Sequence, residues 1–382
     1  MWNQYFATHY LVIVLISVID SCYSYRYVNP HACRYTPTTV SGTKAPTGRI
    51  CKGQLILDEK FLEFDRDLWK HELTLGGGGN WEFQWYVDDA KNSYVKDGQL
   101  VLCPTLTSNE IGEDALESAL VKITPCTNDQ WFGCERQGTK THIINPIRSA
   151  RLNTANSFSF KYGRIEVIAK LPTGDWLWPA IWLLPTERIY GDWPRSGEID
   201  LIESRGNREY RNNDGKHIGV EHFGSTLHFG PRWDQNAYWS SSFSTHSTAG
   251  DGFNNGFHRF LMEWTPECIT FCVDGRLIGR IPAGDGMWAR GKFDGESIWA
   301  NATKMAPFDQ EFHIILNLAV GGTNGYFPDE GNASKKPWIN SSPQAATDFW
   351  RGRNQWLPGW NLDKNNASDA SLIVDSIRVW AI

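Results

Sequence analysis

The sequence has no excess of basic residues, and this absence excludes the partners that a basic surface attracts. Lysine and arginine number 37 against 43 aspartates and glutamates, a formal net charge of −6. Such a balance leaves no basic footprint for nucleic acid or for an anionic membrane. The glycine run at 76–79 is not followed by Lys-Ser/Thr, which also excludes a phosphate-binding loop. We therefore expect no nucleic-acid partner and no membrane partner.

The sequence also lacks an apolar run long enough to cross a bilayer, which takes ~20 residues. The apolar stretch Leu11–Ile19 is shorter and fits a signal-peptide core, although no Lys or Arg precedes it. We place cleavage near Ser24, with small Cys22 and Ser24 at the −3 and −1 positions. Residues 1–24 are then a signal peptide, and the mature protein is secreted and extracellular. Four sequons toward the C-terminus predict an exposed, glycosylated surface: Asn301, Asn332, Asn340 and Asn366.

Long stretches of helical periodicity are absent, and period-2 apolar patterns separated by Gly, Pro, Asn and Asp dominate instead. Short helical turns are predicted only at 114–122 and 343–350, and residues 273–276 predict a hairpin turn. Many short strands favour an all-β sandwich. The predicted strands are 99–103, 157–170, 178–184, 198–204, 224–229, 258–264, 269–273, 277–281, 312–318 and 372–380.

Secretion makes the eight cysteines candidates for disulfides. Removal of Cys22 with the signal peptide leaves seven, so at least one thiol stays unpaired in a monomer. Cys33–Cys51 and Cys126–Cys134 are local candidates, because each pair lies in a turn-rich segment.

A third local pair, Cys268 and Cys272, is expected not to bond. The two residues lie four positions apart on a predicted strand, which separates their Cα atoms by ~13 Å. A disulfide requires a separation below ~7 Å.

Neither a linker nor an internal repeat divides the rest of the chain. Its 382 residues are 41% hydrophobic, enough for one large core. We expect a single domain over residues 55–382, in a monomer. Residues 25–54, rich in Thr, Pro, Gly and Ser, are expected to form an arm tied down by a disulfide.

Tryptophan is abundant, with 19 residues. The apolar C–H faces of sugar rings stack on flat aromatic surfaces, so exposed tryptophans along a groove would form a carbohydrate platform. For any single tryptophan, a place in the core is the simpler explanation. Packing alone explains poorly those in polar or Gly/Pro-rich contexts, which are Trp81, Trp131, Trp178, Trp193, Trp233, Trp350 and Trp360.

The most informative stretch is the acidic segment Glu198-Ile-Asp-Leu-Ile-Glu203. Its aliphatic residues favour a strand, in which Glu198 and Asp200 share one face. Glu203 reaches that face only if a β-bulge around 201–202 inserts one residue. Three carboxyl groups on one concave face cannot all stay ionised, because like charges raise at least one pKa. A retaining glycosidase needs one ionised and one protonated carboxyl, roughly 5–5.5 Å apart.

Two other interpretations of the acidic segment remain open. It could be a solvated strand edge, or its oxygens could bind a hard cation such as calcium. Calcium loops usually spread their ligands over turns with Gly and Asn, whereas this segment is predicted to be a strand. We therefore expect neither a metal ion nor a cofactor, although a structural calcium stays open.

The acidic segment, with Trp178-Pro-Ala-Ile-Trp182 before it, resembles the signature of glycoside hydrolase family 16. Its bulged spacing resembles the endo-β-1,3-glucanase (laminarinase) branch and the related invertebrate β-1,3-glucan recognition proteins. Further similar segments, at 80–84, 162–166, 226–231 and 317–322, extend the resemblance from about Cys33 to the C-terminus.

The resemblance implies a β-jelly-roll sandwich of two curved antiparallel sheets, with a concave substrate cleft. An open cleft suits internal cleavage of a polymer better than trimming of its ends. By the matching motif, Glu198 would be the nucleophile and Glu203 the general acid/base. Asp200 would hydrogen-bond to the nucleophile and help to set the proton distribution. Both local disulfide pairs also fit the family.

The same resemblance implies substrate contacts along the cleft. Trp178 and Trp182 would line the neighbouring strand and stack glucosyl units. His228 could equally be a buried, satisfied histidine. The candidate substrate-binding residues are Trp178, Trp182, Trp193, His228, Trp233 and Asn317.

Two functions follow from the resemblance. The first is a secreted retaining endo-β-1,3-glucanase that hydrolyses internal bonds of glucans such as laminarin, in digestion or defence. The alternative is a non-catalytic β-1,3-glucan recognition protein of innate immunity on the same scaffold. Non-catalytic relatives usually lose one or both glutamates, whereas Glu198, Asp200 and Glu203 are all present. Recognition relatives usually carry an additional amino-terminal carbohydrate-binding module, and we expect none here, because only a few dozen residues precede Leu55.

Overall fold

The computed structural model describes residues 33–247, 252–330 and 336–382. The predicted signal peptide, the first residues of the arm and Asn332 lie outside these ranges. Within them, the strands in chain order are β1 Thr39–Ser41, β2 Leu55–Glu59, β3 Lys70–His71, β4 Gln84–Tyr86, β5 Ser93–Lys96, β6 Gln99–Leu102, β7 Thr105–Leu106, β8 Leu120–Lys122, β9 Glu135–Gln137, β10 Ile147–Ser149, β11 Arg151–Asn153, β12 Ser159–Lys161, β13 Gly163–Lys170, β14 Leu177–Pro185, β15 Glu198–Ser204, β16 His222–His228, β17 Ser242–His246, β18 His258–Trp264, β19 Cys268–Val273, β20 Arg276–Pro282, β21 Phe312–Val320 and β22 Leu372–Trp380.

Helices are few and short among the described residues. They are α1 Ser108–Ile111, α2 Glu113–Leu116, α3 Met287–Arg290, α4 Ala345–Arg351 and α5 Arg353–Trp356. No helix in these ranges is long and apolar enough to cross a membrane.

Two large antiparallel sheets make the expected all-β jelly-roll sandwich. One has the strand order β1-β12-β21-β14-β15-β16-β17, with β11 paired to β21 and β3 paired to β11. The other has the order β20-β19-β18-β13-β22-β6-β5, with β2 attached beside β22. The smaller pairings are β4-β10-β7, in which β4 and β10 run parallel, and the hairpin β8-β9. The first sheet carries the acidic segment at its centre, on β15.

The core lies between the two large sheets, because alternate residues of each strand point inward. Ile181 and Leu183 of β14 are fully buried, and so are Ile165 and Val167 of β13 in the other sheet. They belong to one contiguous hydrophobic cluster that includes both sheets. The opposite face of the first sheet is therefore free to present its side chains to a cleft.

Several predictions from the pattern are confirmed. Strands 198–204, 258–264 and 372–380 have the predicted bounds. The hairpin between β19 and β20 turns through Asp274 and Gly275, with φ of 49° and 80°, which is the left-handed geometry of a tight two-residue turn.

Other elements differ from the prediction. The span 157–170 is two strands, interrupted at Tyr162, where φ is 54°. The helical turn predicted at 114–122 ends at Leu116, and its second part forms strand β8, which pairs with β9. β8 and β9 pair only with each other and lie outside the two large sheets. They therefore lack the alternation of buried and exposed residues on which the strand prediction relied.

The disulfide predictions are confirmed. Cys33 is bonded to Cys51 and Cys126 to Cys134. Cys268 carries a free, buried thiol on β19, so it has no bridge to Cys272.

The tryptophans in polar contexts divide into two groups. Trp178, Trp350 and Trp360 are buried, so the groove interpretation is wrong for the last two, which pack among aromatic and polar groups of the core. The exposed group is Trp81, Trp131, Trp193 and Trp233. Among the sequons, Asn301 and Asn366 are exposed and Asn340 is half-buried.

Candidate functional site

A β-bulge in β15 brings all three carboxyl groups to one face. Asp200 and Glu203 of β15 lie opposite Thr226 and Gly224 of β16. Between these two pairs β15 has one residue more than β16, which defines the bulge. The pairing with β14 shifts at the same place. The bulge predicted around 201–202 is therefore confirmed, and it turns Glu203 to the side of Glu198 and Asp200.

Gly197 sets the entry into β15. Its φ is +85°, a conformation that side-chain-bearing residues rarely adopt. A Cβ at this position would lie 2.9 Å from Cε1 of Phe308 and 3.1 Å from Cγ of Pro307. The chain therefore needs glycine here to place Glu198 at the start of the strand.

Neighbouring strands place further side chains on the acidic face, because residues in register on antiparallel strands point to the same side. Trp182 of β14 lies opposite Asp200. Ala180 lies between Glu203 on one side and Asn317 of β21 on the other. We call Glu198, Asp200 and Glu203 the acidic centre.

Glu203 is held by Trp178. The indole Nε1–H of Trp178 donates to Oε1 of Glu203 at 2.9 Å. Tyr326 stacks on the Trp178 ring, with the two ring centroids 3.8 Å apart. The guanidinium carbon of Arg205 lies 3.9 Å from the centroid of the Tyr326 ring. Tyr326 covers one face of the Trp178 ring. Trp178 contacts the acidic centre through its N–H.

Glu198 is held by Trp193. The indole Nε1–H of Trp193 donates to Oε2 of Glu198 at 3.0 Å. Oε1 of Glu198 lies 3.7 Å from Nε2 of His228, which lies opposite it on β16. Nε2 of His228 is also 3.1 Å from Oδ2 of Asp200, although the two atoms are not aligned for a hydrogen bond.

The tautomer of His228 follows from Asn236. Oδ1 of Asn236 accepts the backbone N–H of Phe229 at 3.2 Å, so its Nδ2 faces Nδ1 of His228 at 2.7 Å. Nδ1 therefore accepts, and the neutral ring carries its proton on Nε2, toward the carboxyl groups. His228 is thus held by Asn236 beside the acidic centre, and its role in substrate binding stays a prediction.

Burial raises the pKa of all three carboxyl groups. For Glu198 and Glu203, repulsion from Asp200 adds to burial, and the pKa reaches about 8 for Glu198 and about 7 for Glu203. Asp200, only 3% exposed, has its pKa raised by burial, while a hydrogen bond with Glu198 lowers it. Interacting carboxyls of this kind titrate as a set. The acidic centre therefore retains protons at pH values where isolated carboxyls are ionised.

A second group of side chains continues along the same face. Nε1–H of Trp182 donates to Oδ1 of Asn317 at 2.7 Å. The Arg151 guanidinium lies 4.7 Å from the centroid of the Trp182 ring and forms a 2.8 Å ion pair with Glu72. Trp182 and Asn317 thus lie where the prediction put them, beside the acidic centre.

Trp233 is the most exposed of the predicted residues, at 76%. It lies on the turn Trp233–Gln235, immediately before Asn236. The structure gives it no contact with the acidic centre, so its role stays a prediction.

Sequence reasoning missed the residues that hold the predicted ones in place. No local pattern marks these residues, and all of them except Asn236, which lies close in sequence to His228, are far along the chain from the rings that they contact. They are Arg151, Arg205, Asn236 and Tyr326.

One group of side chains in the described ranges could hold a metal ion. Donor atoms of Glu198, Asp200 and His228 all lie within 4.8 Å of one another. Two carboxylates and an imidazole suit a transition metal such as zinc better than calcium, which prefers oxygen ligands alone. The same short distances are equally expected if Glu198, Asp200 and His228 share protons without a metal ion.

Comparisons with known proteins agree with this geometry. The family model of glycosyl hydrolases family 16 matches residues 126–300. The beta-1,3-glucan-binding protein of Penaeus monodon is 45% identical over 337 residues, 85% of this chain and 90% of that protein. Beta-1,3-glucan-binding protein 1 of Galleria mellonella is 34% identical, over 93% of this chain and 68% of that protein. The solved structure of the laminarinase from Rhodothermus marinus is similar with a TM-score of 0.54 and 25% identity, covering 86% of this chain and 97% of that one. The chain belongs to glycosyl hydrolase family 16.

Proposed function

We propose that this chain is a secreted, retaining endo-β-1,3-glucanase whose catalytic domain spans residues 55–382. The observation that carries the proposal is the complete acidic centre, in which Glu198 and Glu203 each receive a separate indole N–H on one face of a bulged strand. A retaining glycosidase needs two such carboxyls with different protonation states.

In the first step, Glu203 protonates the glycosidic oxygen while Glu198 attacks the anomeric carbon. Oε1 of Glu203 already accepts from Trp178, so its proton resides on Oε2, which remains for the leaving group. The Trp193 N–H lowers the pKa of Glu198, but burial and repulsion from Asp200 still raise it to about 8, above that of Glu203. Glu198 therefore acts as the nucleophile in the microstate of the coupled set in which its proton has passed to another member. The carbon–oxygen bond to the leaving sugar breaks as the bond to the Glu198 carboxylate forms.

In the second step, Glu203, now ionised, takes a proton from water, and the water oxygen displaces Glu198 from the anomeric carbon. Two inversions at this carbon give net retention. Asp200 exchanges a proton with Glu198 through their hydrogen bond and so keeps the charge of the buried set low. Nε2 of His228 lies 3.7 Å from Oε1 of Glu198 and 3.1 Å from Oδ2 of Asp200, close enough to stabilise negative charge on either group.

The remaining predicted residues would bind the glucan chain. Trp182 and Asn317 lie beside the acidic centre on the same face, and exposed Trp193 and Trp233 offer flat surfaces for sugar rings. Trp178 touches the site through its N–H, and because it is buried with Tyr326 stacked on it, stacking of a sugar on Trp178 stays a prediction.

A second candidate function is glucan recognition without hydrolysis. Relatives that cover most of this chain are named as β-1,3-glucan-binding proteins, which favours this candidate. A binding protein has no need of a protonated carboxyl opposite an ionised one. The retention of both glutamates, each with its own donor, therefore favours the enzyme.

The test is incubation of the purified mature chain with soluble β-1,3-glucan, following reducing ends and product lengths. We expect a mixture of oligosaccharides early in the reaction, and no release by the matched Glu203→Gln variant. Tight glucan binding by folded protein without any new reducing ends would support the recognition function instead.

A further inference from the structure

A cavity of about 580 Å³ lies between the loop before β4, strand β9 and the segment that leads into α4. Its lining includes none of the residues of the acidic centre or of the hydrogen bonds that hold it. The volume is within the ~300–1,000 Å³ range of small-molecule sites. We call it the Arg136 cavity, after the cation in its wall.

The Arg136 guanidinium is fixed in position by two neutral acceptors. It donates through Nη1 to Oδ1 of Asn145 and through Nη2 to the backbone oxygen of Trp131, at 3.0 Å in the second case. The amide nitrogen of Asn145 in turn donates to the backbone oxygens of Leu75 and Gln84, at 3.2 and 2.7 Å. These two bonds determine that Oδ1 of Asn145 faces Arg136. The remaining guanidinium N–H groups are thereby held ready for a ligand.

No carboxylate in the described part of the chain compensates this cation. Two acids also line the cavity, but Glu135 pairs with Lys122 at 2.9 Å, and Glu82 accepts from two neighbouring side-chain amides. Burial alone lowers the pKa of Arg136 to about 10. A buried charge without a partner is unfavourable, and an arginine fork pairs best with a planar anion such as a carboxylate.

Exposed aromatic rings border the same cavity. Trp81 is 49% exposed and Phe132 is 70% exposed, and both residues line it. Their φ angles are 54° and 62°, and that of Trp131, which directly precedes Phe132, is 54°. Left-handed backbone is strained for aromatic residues and is concentrated at functional sites. The backbone thus holds two flat apolar surfaces outward beside a fixed cation.

We propose that the Arg136 cavity binds an acidic saccharide, a sugar ring that carries a carboxylate. The carboxylate pairs with the guanidinium of Arg136, and the apolar face of the sugar ring stacks on Phe132 or Trp81. The site is separate from the acidic centre, so its occupancy does not depend on hydrolysis of glucan.

The test uses a trisaccharide of β-linked glucuronic acid and its carboxyl-reduced form, which is the matched neutral ligand. Calorimetric titration of the full mature chain at low ionic strength should show binding of the acidic form and at least tenfold weaker binding of the reduced form. Arg136→Gln should weaken binding of the acidic form at least tenfold. Arg49→Gln, which removes an exposed arginine elsewhere, should leave it unchanged.

Phe132→Ala keeps the test decisive if Arg136→Gln does not fold, because Phe132 is exposed and its loss should weaken binding several-fold without changing the melting temperature. Inorganic sulfate should compete only weakly. Equal binding of the acidic and reduced trisaccharides, equal binding by the Arg136→Gln variant, sulfate that competes as well as the saccharide, or no binding of the acidic form would overturn the proposal.

Discussion

Replacement of Trp178 by phenylalanine should move the alkaline limb of the activity profile to higher pH. The substitution removes the indole N–H that donates to Oε1 of Glu203 at 2.9 Å and retains a ring to stack on Tyr326. This N–H favours the ionised form of Glu203, whose pKa burial has raised to about 7. Without it, the pKa of Glu203 rises further, and the general acid stays protonated to higher pH.

The size of the shift follows from the difference between two hydrogen bonds. A bond to a charged group contributes about 1.5–3 kcal/mol and one to a neutral group about 0.5–1.5 kcal/mol. The difference is on the order of 1 kcal/mol, and 1.36 kcal/mol corresponds to one pKa unit. We therefore expect the alkaline limb of kcat/KM, which reports the free enzyme, to rise by about one pH unit.

The assay is reducing-end release from soluble β-1,3-glucan over a series of pH values. Trp182→Phe is the matched control, because it removes an indole N–H that donates to the neutral amide of Asn317. It should affect KM and leave the alkaline limb in place. An unchanged or lowered alkaline limb in Trp178→Phe would refute the assignment of Glu203 as the acid.

Three further predictions follow from the site and its support. Glu198→Ala with azide should give an α-glycosyl azide from an activated β-substrate, whereas Glu203→Ala with azide should give the β-product. Either variant should lose several powers of ten on natural glucan, since general acid–base help alone supplies ~10²–10⁴, and the opposite stereochemistry would exchange the two roles. Asp200→Asn should cost less activity and shift the alkaline limb to lower pH, because Asp200 raises the pKa of Glu203 by repulsion; a pH profile that does not move would contradict this. Gly197→Ala should reduce the free energy of unfolding by about 1–2 kcal/mol, which is the penalty for a side-chain-bearing residue in the left-handed conformation. Denaturant titration measures the loss against the control Gly359→Ala, whose added Cβ meets nothing within 4 Å, and equal stability of the two variants would show that the turn adapts.

The acidic strand could be predicted in detail because its chemistry and its geometry impose the same constraint. Side chains alternate along a strand, so carboxyls at 198, 200 and 203 share a face only if a bulge intervenes. The structure has that bulge and the predicted bounds of β15. The two local disulfides were predictable for a similar reason, since each closes a short turn-rich segment.

The support of the acidic centre could not be predicted, because no periodic pattern marks the residues that provide it. Tyr326 stacks on Trp178 from a distant part of the chain, and Asn236 orients His228 from the irregular loop that follows β16. Whether a given side chain is buried likewise cannot be read from its neighbours in sequence. Trp360 lies in a local context of Pro, Gly and Asn, yet it is fully buried, and its Nε1–H donates to the backbone oxygen of Asp175 at 3.0 Å, far away in sequence.

The most direct test of the central claim is the anomeric configuration of the first product. Proton NMR of the mature chain with a β-1,3-linked glucan oligosaccharide resolves the new reducing end before it mutarotates. A retaining pair formed by Glu198 and Glu203 predicts that the β-anomer appears first and that the α-anomer follows at the rate of mutarotation. The α-anomer first, or no new reducing end from folded protein that binds the oligosaccharide, would contradict the account.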